Sequence, residues 1–318
     1  MDNVTSPTPR LGEIAGFWRR LFAFCVDGLV LGALGLCVGL VAHDPLVALG
    51  DWGRAVGFVI ALVYFATLDS ALSGGRSPGK RLLGIQVVNA DGMPLTLGAS
   101  TVRASIFCVP YFLNGAAIEA VGIVSWLQAF LVFGVGLSIA YLLLFNRRTR
   151  QSLHDLAVGA YVVTKPGYFP GLSGRVWSGH FVAVGLIVLT ATVALPLFAQ
   201  RLARSIPFDT LRSVQQALQQ DPDVRHASAL VGVSRFFGKD GSAKTTHVLT
   251  SDVVLSRRVT DLESTANRMA RIILDHDPSA AEENEIAISV RYGYDIGIAS
   301  AWQGRSFSFS PEEWRRRF

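Results

Sequence analysis

Residues 22–42 form a run of twenty-one positions with a single charge, Asp27. At about 1.5 Å rise per residue, a helix of that length crosses the roughly 30 Å hydrocarbon core of a bilayer. The run predicts an integral membrane protein, and composition agrees, because 50% of the 318 residues are hydrophobic and only 17% are charged. The charge is unevenly spread. Residues 1–199 hold 13 Lys and Arg against 9 Asp and Glu, whereas residues 200–318 hold 16 and 15. A membrane part therefore precedes a nearly neutral soluble part. Most of the +5 net charge falls in short loops, so no nucleic-acid partner is read from the basic composition.

Counting apolar runs gives about five spans, at residues 22–42, 55–72, 104–120, 125–145 and 181–200. Residues 104–145 form 42 positions charged only at Glu119, twice a bilayer's thickness, which implies two passages with a turn near Asn114. With a cytoplasmic N-terminus (residues 1–21), the inner segments carry twelve Lys and Arg and the outer loops one, Arg54. That asymmetry orients the chain N-terminus inside, and five spans then place residues 205–318 outside the cytoplasm. The expected location is the bacterial cytoplasmic (inner) membrane, multi-pass, with the C-terminal region periplasmic or extracellular. Residues 1–20 lack a small-residue cleavage site after a short apolar core, so the first span reads as an uncleaved anchor. Cys25, Cys37 and Cys108 all fall within spans and are expected as buried small hydrophobes rather than disulfide or metal partners.

Between the second and third spans, Gly74, Gly75, Pro78 and Gly79 break the helix, Ile85, Val87 and Val88 favour extended chain, and Asp91-Gly92 signals a turn. A small hairpin on the inner membrane surface is expected, with Lys80, Arg81 and Arg103 at headgroup level. The segment GGRSPGK has the glycine and lysine spacing of a phosphate loop, but Arg81 replaces the hydroxyl residue and no apolar strand precedes it. Nucleotide binding is therefore not expected.

The stretch RLFAFCVD from Arg20 to Asp27, then GGRSPGKRLLGIQVVNADG, then RQSLHDLAVGAYVV with His154 and Asp155, together resemble the RDD family of bacterial membrane proteins over about residues 12–165. The resemblance implies one arginine and two aspartates as hallmarks. Arg20 and Asp27 match two of them, and Asp155 or Asp69 supplies the third. It also implies an α-helical membrane fold with fewer spans than here, so the span at 181–200 and the region after it are additions. Transport of ions or small ligands is among the activities it suggests.

Asp27 lies five residues inside the first run and Asp69 three from the inner end of the second, within about 5–8 Å of the cytoplasmic boundary. Arg20 and Asp27, seven residues apart, share a helix face. Arg20, Asp27, Asp69, Lys80, Arg81, His154 and Asp155 are thus the candidate site, an intramembrane polar collar. One reading is an inner mouth for protons or small cations, with Asp27 titrating and His154 relaying. The other is a salt-bridged network that pins helix ends together.

Past Pro207 the periodicity changes. Phe208, Leu211, Val214 and Leu218 repeat at helical spacing, two extended runs flank a turn at residues 238–241, a second helix spans 261–275, and two strands cover 285–294 and 298–309. The order αββαββ predicts a soluble α+β domain with helices on one face of an antiparallel sheet. His226, His247 and His276 lack ligand-like spacing, and the acidic cluster Asp275, Asp277, Glu282, Glu283 and Glu285 reads as a solvated helix end. Asp295 with Tyr292 and Tyr294 marks either a shallow recognition surface or packed sheet. No catalytic motif, metal set or cofactor is expected, so the chain reads as a non-enzymatic scaffold in the lipid bilayer that presents an extracytoplasmic domain to a protein partner. The alternative is a small ion or proton transporter.

Overall fold

The computed structural model describes residues 14–115, 123–164, 176–205, 209–237 and 243–318. The predicted N-terminal segment before residue 14, the end of the third predicted span beyond residue 115, Glu119, Phe208 and the predicted turn at 238–241 lie outside the described residues. The chain divides into two compact units. One draws on residues up to Cys37, Arg54–Arg201 and Ile296–Ala299; the other draws on Val38–Gly53, Leu202–Asp295 and Ser300–Phe318.

In chain order the membrane region contains α1 (Phe17–Val41), α2 (His43–Leu49), α3 (Gly53–Leu68), α4 (Pro78–Leu82), β1 (Gln86–Val88), α5 (Leu97–Leu113), α6 (Ile123–Ala129), α7 (Gly136–Phe145), α8 (Leu153–Val158), β2 (Tyr161–Val163), α9 (Ser178–Leu189) and α10 (Leu195–Ser205). Wider π-helical turns, Phe130–Val135 and Thr190–Ala194, join α6 to α7 and α9 to α10. Four helical stretches are long and apolar enough to cross a membrane: Phe17–Val41, His43–Leu68, Ile123–Phe145 and Ser178–Phe198. The third of the five expected passages corresponds to α5, which has 17 residues and so reaches only about 25 Å. α1 begins five residues before the apolar run, because the exposed Arg19 can turn its charged head toward water while Arg20 finds a buried carboxylate partner.

β1 pairs antiparallel with β2, in the register Gln86↔Val163, Val87↔Val162 and Val88↔Tyr161. This corrects the expected local hairpin. The Asp91-Gly92 turn does form, with Asn89 Oδ1 accepting from the N–H groups of Asp91 and Met93 at 3.0 and 2.9 Å. Beyond it, however, Leu95 bridges to Ser70. Both strands are buried along their length, so each needs a continuous buried partner, and the short turn segment after Asn89, exposed at Ala90, Asp91 and Met93, does not supply one. Val87 and Val162 close a small core with Ala15, Ile85 and Ala160. Cys108 is buried as expected, but Cys25 and Cys37 are exposed on α1, on faces that the membrane reading turns toward acyl chains.

The C-terminal unit continues with α11 (Asp209–Gln219), β3 (Val224–Phe237), β4 (Ala243–Leu255), α12 (Leu262–His276), β5 (Glu285–Asp295), β6 (Ser300–Phe309) and α13 (Pro311–Arg315). The strands lie in the order β3-β4-β5-β6. β3 with β4 and β5 with β6 are antiparallel, whereas β4 and β5 run parallel, which corrects the expectation of a wholly antiparallel sheet. The physical cause is α12: a helical crossover returns the chain to the end at which β4 began. Val214 and Leu218 of α11 and Ala266, Met269 and Ile273 of α12 cover Leu249, Val253, Ile286, Ile288 and Val290 on one sheet face. Tyr292 and Tyr294 are buried, so their alternation is sheet packing. The closing helix α13 was not anticipated. Ser310 caps it, and the fully buried Trp314 donates from Nε1 to the Ile286 carbonyl at 2.9 Å.

Candidate functional site

Asp27 is the eleventh residue of α1 and has no exposed surface. The loop that reaches it depends on Gly79. A Cβ at that position would stand 2.0 Å from the Ala23 carbonyl oxygen and 3.0 Å from Asp27 Cγ, so only glycine lets the backbone lie this close to α1. The Gly79 N–H then donates to Asp27 Oδ1 at 2.8 Å, Ser77 Oγ donates to Oδ2 at 2.5 Å, and the Tyr64 hydroxyl donates to Oδ1 at 2.9 Å. Lys80 Nζ stands 3.8 Å from Oδ2. The glycines of GGRSPGK thus serve chain geometry. Gly74 and Gly75 hold left-handed conformations at φ 65° and 68°, and Lys80 is directed at carboxylates.

From Lys80 the ion pairs continue. Its Nζ lies 2.8 Å from Asp69 Oδ1, and Arg103 Nη1 lies 2.7 Å from Asp69 Oδ2. Arg103 also donates through Nε to Asp155 Oδ1 at 2.8 Å. Arg20 completes the chain by donating to Asp155 and to the Arg150 carbonyl, and the Ser152 N–H donates to Asp155 at 3.2 Å. Six charged side chains from α1, the end of α3, α4, α5 and α8 are thereby joined in the order Asp27, Lys80, Asp69, Arg103, Asp155, Arg20. Three carboxylates meet three bases, so the cluster is formally neutral when His154 is uncharged.

His154 satisfies that condition. Burial drives its pKa down to about 3, Asp155 opposes this, and Arg103, Arg20 and Lys80 add to it. Burial alone would raise Asp155, but the cationic neighbours led by Arg20 overcome it and hold the carboxyl well below its ordinary range. His154 Nε2 lies 3.3 Å from Asp155 Oδ1, and the ring meets Phe107 edge to face. Beside the cluster is a cavity of about 360 Å³ whose walls include Phe24, Phe107, Asp69, Lys80, Arg103 and His154.

The structure brings six of the seven expected site residues together. Arg81 stands apart, exposed, with its Nη2 donating to Ser73 Oγ at 2.8 Å. The partner of Arg20 is Asp155, 135 positions away, rather than Asp27 on its own helix face. Sequence reasoning placed Arg103 at headgroup level, yet it is 8% exposed and holds two carboxylates at once. The available signal was its position seven residues into an otherwise apolar helix capped by Thr96. Tyr64 and Ser77, uncharged in the sequence, left no such mark.

The C-terminal unit offers less chemistry. Asp277 is 2% exposed and caps a short helical turn, accepting from the Ser279 N–H at 3.0 Å. His276 Nδ1 is 2.9 Å from the Ile272 carbonyl oxygen. Among the described residues, no group of three or more His, Cys, Asp or Glu is placed to hold a metal ion.

The RDD family model matches residues 14–159, a stretch that contains the whole cluster. An uncharacterised protein of Bacillus subtilis (strain 168), YckC, is 27% identical over 148 residues, covering 46% of this chain and 83% of YckC. No solved structure matches. Residues 14–159 are thus similar to the RDD family, and the same stretch contains three helical stretches long and apolar enough to cross a membrane.

Proposed function

We propose that this protein is a non-catalytic scaffold of the bacterial cytoplasmic membrane, in which the RDD region anchors the chain and the C-terminal α+β region is presented outside the cytoplasm to a protein partner. The observation that carries this reading is the closed balance of the buried cluster. Each carboxylate lies beside a lysine or arginine side chain, and Asp27 is further satisfied by three neutral donors. A carboxylate so occupied has little capacity left for a passing cation, whereas matched charges tie helices together at a distance in sequence. The outward placement of the C-terminal region is supported by the distribution of basic residues. Val38–Gly53, the last residues of α1 and those that follow them, also belongs to the same compact unit as Leu202–Asp295, and Arg225 Nη2 donates to the Val47 carbonyl at 2.6 Å.

A second reading, a proton or small-cation path, draws on the cavity that reaches Asp69, Lys80 and His154. Asp27→Asn separates the two in reconstituted vesicles. The scaffold reading expects lower thermal stability, with loss of about 3 kcal/mol as one side of a buried pair is removed, and background ion flux for wild type and variant alike. Ion-dependent flux in the wild type that vanishes in a normally stable variant overturns it.

A further inference from the structure

We infer that the cleft between the start of α1 and the end of α7 binds the phosphodiester headgroup of an anionic membrane phospholipid. The cleft has a volume of about 790 Å³ and is lined by Arg19, Arg20, Arg147 and Arg150, with no acidic side chain among its described lining residues. It is thus the opposite of the buried cluster, where every cation meets a carboxylate. Arg20 is committed to Asp155, and Arg150 donates from Nη1 to the Ile14 carbonyl at 3.3 Å. Arg19 and Arg147 are exposed and carry no ion pair or hydrogen bond with another described side chain. Guanidinium groups gathered without counter-charge present forked donors that match phosphate oxygens.

Two local features keep this positive wall in place. Arg150 is the single non-glycine among the described residues with positive φ, at 53°, a conformation that glycine adopts at lower cost. The position therefore retains a side chain at a backbone penalty, and that side chain reaches the cleft. Opposite it, Gly16 makes room: a Cβ there would stand 3.1 Å from Arg150 Nη1.

The surroundings favour a lipid over a soluble anion. Trp18 and Leu144 line the cleft and are 64% and 49% exposed, and Phe22 and Phe145 extend the exposed apolar surface along the same two helices. Both helices end candidate membrane spans at this point. A headgroup held by the arginines would sit at the membrane–water boundary, where tryptophan is favoured, with its acyl chains along apolar helix faces.

The test titrates phosphatidylglycerol into the full-length protein in a neutral detergent, with phosphatidylcholine and inorganic phosphate in parallel, and reads binding by native mass spectrometry and by thermal shift. Saturable binding and stabilisation are expected with phosphatidylglycerol alone. Arg19→Gln combined with Arg147→Gln should weaken that binding about tenfold, the effect of losing charged hydrogen bonds. Arg148→Gln, exposed in the same loop but outside the cleft lining, should leave it unchanged. If the double variant does not yield folded protein, Arg147→Gln alone must still weaken binding. Equal response to phosphatidylcholine overturns the inference, as does inorganic phosphate that stabilises equally well, which would mark a soluble-anion site. An Arg148→Gln effect as large as the double variant's would reduce the cleft to diffuse surface charge and overturn it too.

Discussion

At the scale of single residues, His154 gives the cluster a pH signature. Its folded pKa, about 3, lies below the ordinary 6.5, so the folded state binds fewer protons than the unfolded state across that interval. Stability is then fully present above about pH 6.5 and declines as pH falls toward 3, by up to about 1.4 kcal/mol per unit for one proton. Asp155, held low by its bases, adds a loss in the same direction, but only below the ordinary carboxylate range near 3.9. The two windows overlap only between about pH 3 and about 3.9. Denaturation midpoints of His154→Gln between pH 7 and 5 should be flat where the wild type falls; parallel curves would show that His154 is not the titrating group. Asp27 was legible in the sequence as a charge inside an apolar run, Arg20 as the residue that flanks that run on the same helix face, and Asp155 only through the family resemblance. Their pairing was not, because helical periodicity reports only a shared face, and a partner 135 positions away leaves no periodic trace.

At the scale of elements, the glycine-rich loop shows how one spacing can carry two meanings. GGRSPGK was legible as a helix break, and its likeness to a phosphate loop dissolves once Gly79 is seen against the backbone of α1. Gly79→Ala should force loop and helix apart, at a cost of about 2 kcal/mol from overpacking against backbone that cannot yield. A thermal midpoint equal to wild type would show that the close approach is not needed. The β1–β2 pairing and the parallel β4–β5 step were illegible for a common reason. Each strand's length and composition are local properties, whereas its partner is chosen by which buried edge remains free after the helices pack. The helices of the C-terminal unit, by contrast, announced themselves through period-3.6 patterns and its strands through extended runs between turn signals, and only α13 escaped, being too short to show a pattern.

At the scale of the whole molecule, the chain combines a region that matches the RDD family model with a C-terminal α+β unit beyond the matched stretch. The twelve-to-one division of basic residues predicts that a periplasm-active reporter fused after Phe318 is active and a cytoplasm-active one silent. The reverse pattern would mean that α5, the short apolar helix, does not cross the membrane. The central claim is that the buried charges exist to balance one another, and a double-mutant cycle between Arg20 and Asp155 tests it most directly. Each single change, Arg20→Gln or Asp155→Asn, leaves the cluster with an unmatched charge. The double change leaves Asp27 and Asp69 facing Lys80 and Arg103, neutral again. The account predicts that each single variant loses about 3 kcal/mol of unfolding free energy and that the double variant recovers about 2 kcal/mol relative to the sum. Losses that simply add would contradict it.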